Sequence, residues 1–129
     1  MPIIISAVDH ERKQIDAVAF GPINYAEVEK HLLEERGMEG LAYKEFIDAR
    51  DAGLIFALSP AEIRQIVGLV RSLCQQSPFG PTAVLVLTDF AFGIMRAMEM
   101  LLEDVLEIRP FRDEKIARSW LASKPDLQP

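Results

Sequence analysis

The chain has 129 residues, half of them apolar, with 26% charged and 8% aromatic. That length and apolar share exclude a disordered or fibrous chain and suit one domain that buries a core without staples. The formal charge of -6 argues against nucleic acid or an anionic membrane as the main partner, and one cysteine excludes an internal disulfide.

Residues 3–8 and 15–20 are short apolar runs on either side of a polar stretch, which predicts two strands joined by a turn as an antiparallel pair. Gly21-Pro22 ends the second run. Asn24 with Glu27 three residues on is a capping-box pattern, and it predicts a helix that stops at Arg36-Gly37. Val28, Leu32 and Leu33 mark its buried face, while Glu29, Lys30, Glu34 and Glu35 belong to the wet side. Residues 43–49 read as a third strand, and residues 52–58 as an apolar loop pressed on the core. Ser59-Pro60-Ala61-Glu62 is the clearest helix start in the chain: a capping serine, proline at the first helical position, glutamate at the third. Ile63, Ile66, Val67, Val70, Leu73 and Cys74 follow at helical spacing.

After a loop at 76–81, residues 82–87 are apolar throughout, as in a strand buried on both faces of a parallel sheet. Thr88 or Asp89 caps a helix to about Asp104. Residues 107–111 form a short edge strand marked by Pro110. Asp113 caps a last helix that turns Ile116, Ala117, Trp120 and Leu121 inward. The order β-β-α-β-α-β-α-β-α predicts an α/β fold: a small mixed, mainly parallel five-stranded sheet with four helices. Residues 1–123 form the expected domain and 124–129 a frayed tail. No basic segment precedes residues 3–8 and no apolar run reaches membrane length, so a soluble, cytoplasmic protein without membrane insertion is the expectation.

Phe46-Ile47-Asp48-Ala49-Arg50-Asp51, a strand closing on an aspartate, then Leu58-Ser59-Pro60-Ala61-Glu62 opening the long helix, resemble the SpoIIAA-like superfamily of STAS and lipid-carrying CRAL-TRIO domains. The ending Phe111-Arg112-Asp113-Glu114 with Ala117-Arg118-Ser119-Trp120-Leu121 fits it too. The pattern looks most like bacterial proteins labelled STAS/Sec14-like, and it runs nearly the whole chain in order and spacing. In STAS anti-sigma-factor antagonists a serine at the start of this helix is phosphorylated, and Ser59 falls nearest to it. The family's Asp-Ser-Ser-Gly-type turn is absent here, and Pro60 follows the serine. The resemblance implies binding or regulation rather than catalysis: a protein partner or self as a homodimer, or a small apolar ligand.

As a helix cap Ser59 is worth about 1 kcal/mol, which by itself accounts for its presence. Asp48, Asp51 and Asp89, with Arg50 and Thr88, fall at the carboxyl ends of parallel strands, where ligands bind in open α/β sheets. Together with Ser59 they form a candidate regulatory or partner edge, although aspartates there are more often turn formers and caps. His10 is placed in a turn and His31 on a charged helix face, neither with a second ligand at metal spacing. Cys74 reads as a small buried hydrophobe. Neither a Gly-rich phosphate loop nor a nucleophile elbow is present, so no catalytic residue, metal or cofactor is expected. The helix at 89–104 is unusual. Phe90, Phe92, Ile94, Met95, Met98, Met100, Leu101 and Leu102 leave only a narrow polar strip, more apolar surface than one sheet face needs. Deeper packing, a dimer contact or the wall of an apolar pocket would each absorb the surplus. Phe90, Phe92, Met95, Met98 and Met100 are therefore the candidate ligand or dimer surface.

Overall fold

The structure is a computed structural model that describes residues 3–21, 23–37, 42–51 and 58–125. The apolar loop expected at 52–58 falls, apart from Leu58, outside the described residues, as does most of the tail. Strands β1 (Ile3–Asp9) and β2 (Gln14–Phe20) form the expected antiparallel pair, with Ile4 opposite Ala19 and Ser6 opposite Ala17. Asp9 Oδ1 accepts the Arg12 amide at 3.0 Å and Lys13 takes a left-handed φ of 55°, closing the turn between them. Helix α1 (Tyr25–His31) begins at its Asn24 cap, then widens into a π-helix over Leu32–Gly37.

Strand β3 (Lys44–Asp48) leads to α2 (Pro60–Gln76), whose start carries the full reciprocal cap. Ser59 Oγ accepts the Glu62 amide at 3.1 Å, and the Ser59 amide donates to Glu62 Oε1 at 2.9 Å. Strand β4 (Thr82–Leu85) stops two residues before the expected Leu87, which is exposed. Thr88, rather than Asp89, caps α3 (Asp89–Leu102). Arg71 of α2 closes the far end of α3: its guanidinium donates to the Leu101 carbonyl at 2.6 Å and to both Asp104 oxygens at 2.8 and 2.9 Å. A cation there satisfies carbonyls that the helix itself leaves open. Strand β5 (Ile108–Phe111) and α4 (Glu114–Ser123), capped by Asp113, complete the chain.

The sheet order is β1-β2-β3-β4-β5, with β2 to β5 parallel. Crossovers between parallel strands are right-handed, so three successive steps in one direction put α1, α2 and α3 on the same face. Helix α4 follows the last strand, makes no crossover and closes the other face. Alternation along the strands separates the two layers. Val84, Val86 and Ile108 pack with Ile66, Val70, Met95, Met98 and Leu102, whereas Phe46, Ala83, Leu85 and Phe111 pack with Ala117 and Leu121. Besides Leu87, two residues expected inside lie outside. Leu33 is off the Val28–Leu32 line, and Ile116 is one position off the line of Ala117 and Leu121 that fills the α4 contact.

Candidate functional site

The carboxyl edge of the sheet gathers the predicted acidic residues but divides them among structural tasks. Asp48 binds Arg50 through a fork, Nε to Oδ1 at 3.0 Å and Nη2 to Oδ2 at 2.8 Å, and Arg50 also reaches Glu114 of α4 at 3.3 Å. Hydrogen bonding from that guanidinium holds the Asp48 carboxyl below the usual carboxylate range. The pair therefore pins α4 to the end of β3. Ser59 is exposed and engaged in its capping box. The Asp51 carbonyl accepts the Gly21 amide at 3.0 Å. Connections leaving β4 and β5 go to opposite faces, the arrangement that opens a crevice in α/β sheets. Here Arg112 occupies it, paired with Asp89 and donating to the Leu87 carbonyl at 3.1 Å. No group of three or more His, Cys, Asp or Glu among the described residues is placed to hold a metal ion.

The candidate apolar residues of α3 also divide. Met95 and Met98 are buried against the sheet and Phe92 is half-buried, so part of the surplus is absorbed within the chain. Phe90 and Met100 are 61% and 67% exposed. With Ala97 and Leu101 they form a second apolar stripe on the side of α3 away from the sheet.

The site with the most developed geometry lies inside, between the sheet and helices α1 to α3. Ala19 and Ala49 face the helices from the central strands, and such short side chains leave room there. The result is a cavity of about 140 Å³ walled by Ile4, Ile23, Val28, Leu58, Met95 and Leu106, among others. One end is polar. The sheet row there runs Val8, Ile15, Glu45, Thr82 and Ile108. Glu45 is 3% exposed, and its Oε2 lies 2.7 Å from Nε2 of His31, itself 8% exposed, on the last turn of α1. His31 Nδ1 is 3.4 Å from Ser6 Oγ on β1, and the Thr82 hydroxyl donates to the Gly80 carbonyl at 3.1 Å. A carboxylate and an imidazole this deeply buried are tolerated because each compensates the other's desolvation.

His31 corrects the reading that put it on a charged helix face. It stands three residues after Val28 and one before Leu32, so the i, i+3, i+4 stripe of α1 carries it inward. Glu45 was missed as well. Alternation in β3 sets it on the face of Ile47 and Ala49, opposite to Lys44, Phe46 and Asp48.

No protein-family model and no curated protein matches the chain. Its structure is similar to that of an uncharacterised protein of the DUF3478 family, with a SpoIIAA-like fold, from Shewanella loihica PV-4. The TM-score is 0.62 at 14% identity, over 94% of this chain and 95% of that one. No helix of the described residues is long and apolar enough to cross a membrane. The five-stranded sheet, parallel after its first pair and joined to four α-helices, is a SpoIIAA-like fold.

Proposed function

We propose that this chain is a non-catalytic, STAS-like binding module, and that it takes a small apolar molecule into the cavity between its sheet and helices α1 to α3. The observation that carries this reading is the cavity itself, about 140 Å³ in volume, with Met95 and Met98 in its wall. Cavities of about 150 Å³ lined by aliphatic and aromatic side chains admit benzene. Methionine adapts its shape to what it touches, which suits a wall that opens and closes on a guest. The volume narrows the class of ligand: a molecule of monocyclic size fits, and a whole phospholipid does not.

Toluene titrated into the purified protein should raise its melting temperature, by up to about 2.7 kcal/mol of stability at a hundredfold excess over Kd. Ala19→Ile, which fills the cavity from β2, should melt higher than the parent without toluene and respond to it far less. Native mass spectrometry of freshly purified protein reports any retained guest. A bare mass together with a melting temperature indifferent to toluene would defeat the proposal.

A second reading rests on the exposed stripe of Phe90, Ala97, Met100 and Leu101 on α3, which suits a protein partner or a second copy of the chain. Sizing in solution tests the homodimer: Phe90→Glu with Leu101→Glu should reduce a dimeric mass to that of the monomer. A parent that already runs as a monomer leaves this stripe to a different protein. The resemblance-based role for Ser59 belongs with this reading, since the residue is exposed at the start of α2. Partner binding unchanged by Ser59→Asp would leave it only the cap. We place the module in the cytoplasm, acting without a cofactor.

A further inference from the structure

The two edges of the sheet differ in a way that bears on association. From the bare edge of β1 we infer that two copies of the chain pair their β1 strands antiparallel, joining two sheets into one about a twofold axis. This surface is separate from the cavity and from the α3 stripe, which it leaves to a different protein.

Strands β1 and β5 end the sheet. An edge strand presents a row of backbone N–H and C=O groups that another extended strand can pair. Folded proteins guard such edges with proline, charge, a bulge or short length. Strand β5 is guarded. It spans four residues, Ile108–Phe111. The carbonyls of Glu107 and Phe111 accept from the Thr82 and Val86 amides, so alternation turns the backbone of Pro110 outward, where it offers no N–H. Strand β1 is bare. It spans seven residues, Ile3–Asp9, keeps its register with β2 without a bulge, and has neither proline nor charge before Asp9. Among the described residues no backbone hydrogen bond reaches its outer side.

A second copy fits this edge in shape and in charge. Antiparallel alignment about Ser6 sets Ile4 of one copy beside Val8 of the other on the helix side of the sheet. Both are half-buried, and pairs of β-branched side chains across strands stabilise a sheet. The chain carries a charge of -6, yet residues 3–8 are uncharged and the turn after them balances Asp9 and Glu11 with Arg12 and Lys13. Two acidic molecules therefore meet along a neutral edge. With Pro110 blocking β5, the edge that β1 can join is another β1, so the assembly closes at two copies.

Sedimentation velocity over a concentration series should show the mass rise from one chain to two and no further. Hydrogen exchange followed by NMR identifies the surface. Alternate amides of β1, those turned away from β2, should exchange about tenfold or more slowly in the dimer than at dilution. Ala7 is exposed and lies opposite Asp16, so Ala7→Lys adds a guard charge that β2 accommodates. Two such lysines fall diagonally on one face, about 7–8 Å apart, and should raise the dimer Kd roughly 2- to 5-fold. Phe90→Glu with Leu101→Glu separates the two candidate dimer surfaces, since pairing through β1 leaves its mass doubled. Should Ala7→Lys not fold, exchange on the parent protein decides. A chain that stays single at every concentration overturns the inference. So does a dimer that the α3 changes dissociate, or one whose outer β1 amides exchange as fast as at dilution.

Discussion

Removing one member of the buried pair should cost far more than removing both. Glu45 is 3% exposed and His31 8%, with 2.7 Å between them, so His31→Leu takes a close hydrogen-bonding partner from a carboxyl group that water barely reaches. Breaking such a pair from one side costs about 3–5 kcal/mol. In a domain of this length each kcal/mol is worth roughly 3–5 °C, so the single variant should melt about 10–25 °C lower. A folded domain has only about 5–15 kcal/mol in total, which brings His31→Leu close to unfolding at ordinary temperature. Glu45→Leu should also destabilise, since it takes the 2.7 Å partner of Nε2 from a buried imidazole. The double replacement removes both desolvation costs and puts two aliphatic groups in an apolar layer, where such swaps are often neutral or stabilising. Urea unfolding at pH 7, followed by circular dichroism, gives all four corners of the cycle. The double variant should recover to within about 1 kcal/mol of the parent, a coupling of several kcal/mol. Losses in the double variant equal to the sum of the singles would refute the idea that the two groups stabilise each other.

Other expectations concern the frame around the cavity. Ser59→Ala should cost about 1 kcal/mol in urea unfolding, while Ser59→Asp, which still caps, should cost little. A Cβ on Gly80 would sit 2.4 Å from the Tyr43 carbonyl oxygen and 2.7 Å from that of Ala42, both backbone atoms. Gly80→Ala should therefore destabilise by about 1–3 kcal/mol as overpacking does, and a variant as stable as the parent would show that the β3 entrance gives way easily. Arg50 holds the Asp48 carboxyl below its ordinary range. A depressed folded value contributes stability that is complete above the unfolded value of about 3.9, and that is lost as pH falls through the folded one. Between pH 5 and 2 the parent should thus lose more stability than Asp48→Asn; parallel acid limbs would detach Asp48 from acid unfolding.

Most of the frame was legible because it follows from local rules that tertiary contacts did not overturn. The caps at Asn24, Ser59, Thr88 and Asp113 each bond as their residue types predict. The alternation of strands with helices sufficed for the sheet, since right-handed crossovers leave few ways to arrange it. The site was harder to see for two physical reasons. Single charged letters suggest solvent, and neither His31 nor Glu45 declares a partner 14 positions away. Their helical and strand phases both pointed inward, but only the parallel pairing of β3 beside β2 and β4, with α1 above, sets those phases face to face. The acidic edge misled in the opposite direction. Asp48 and Asp89 did arrive at the strand ends, yet Arg50 and Arg112 arrived with them and turned a candidate ligand edge into clamps on α4 and on the β4–α3 turn. A charge read alone suggests a ligand, whereas a charge read with its counter-ion suggests a joint. By the same reasoning the buried His31–Glu45 contact is a joint as well, tying the last turn of α1 to β3.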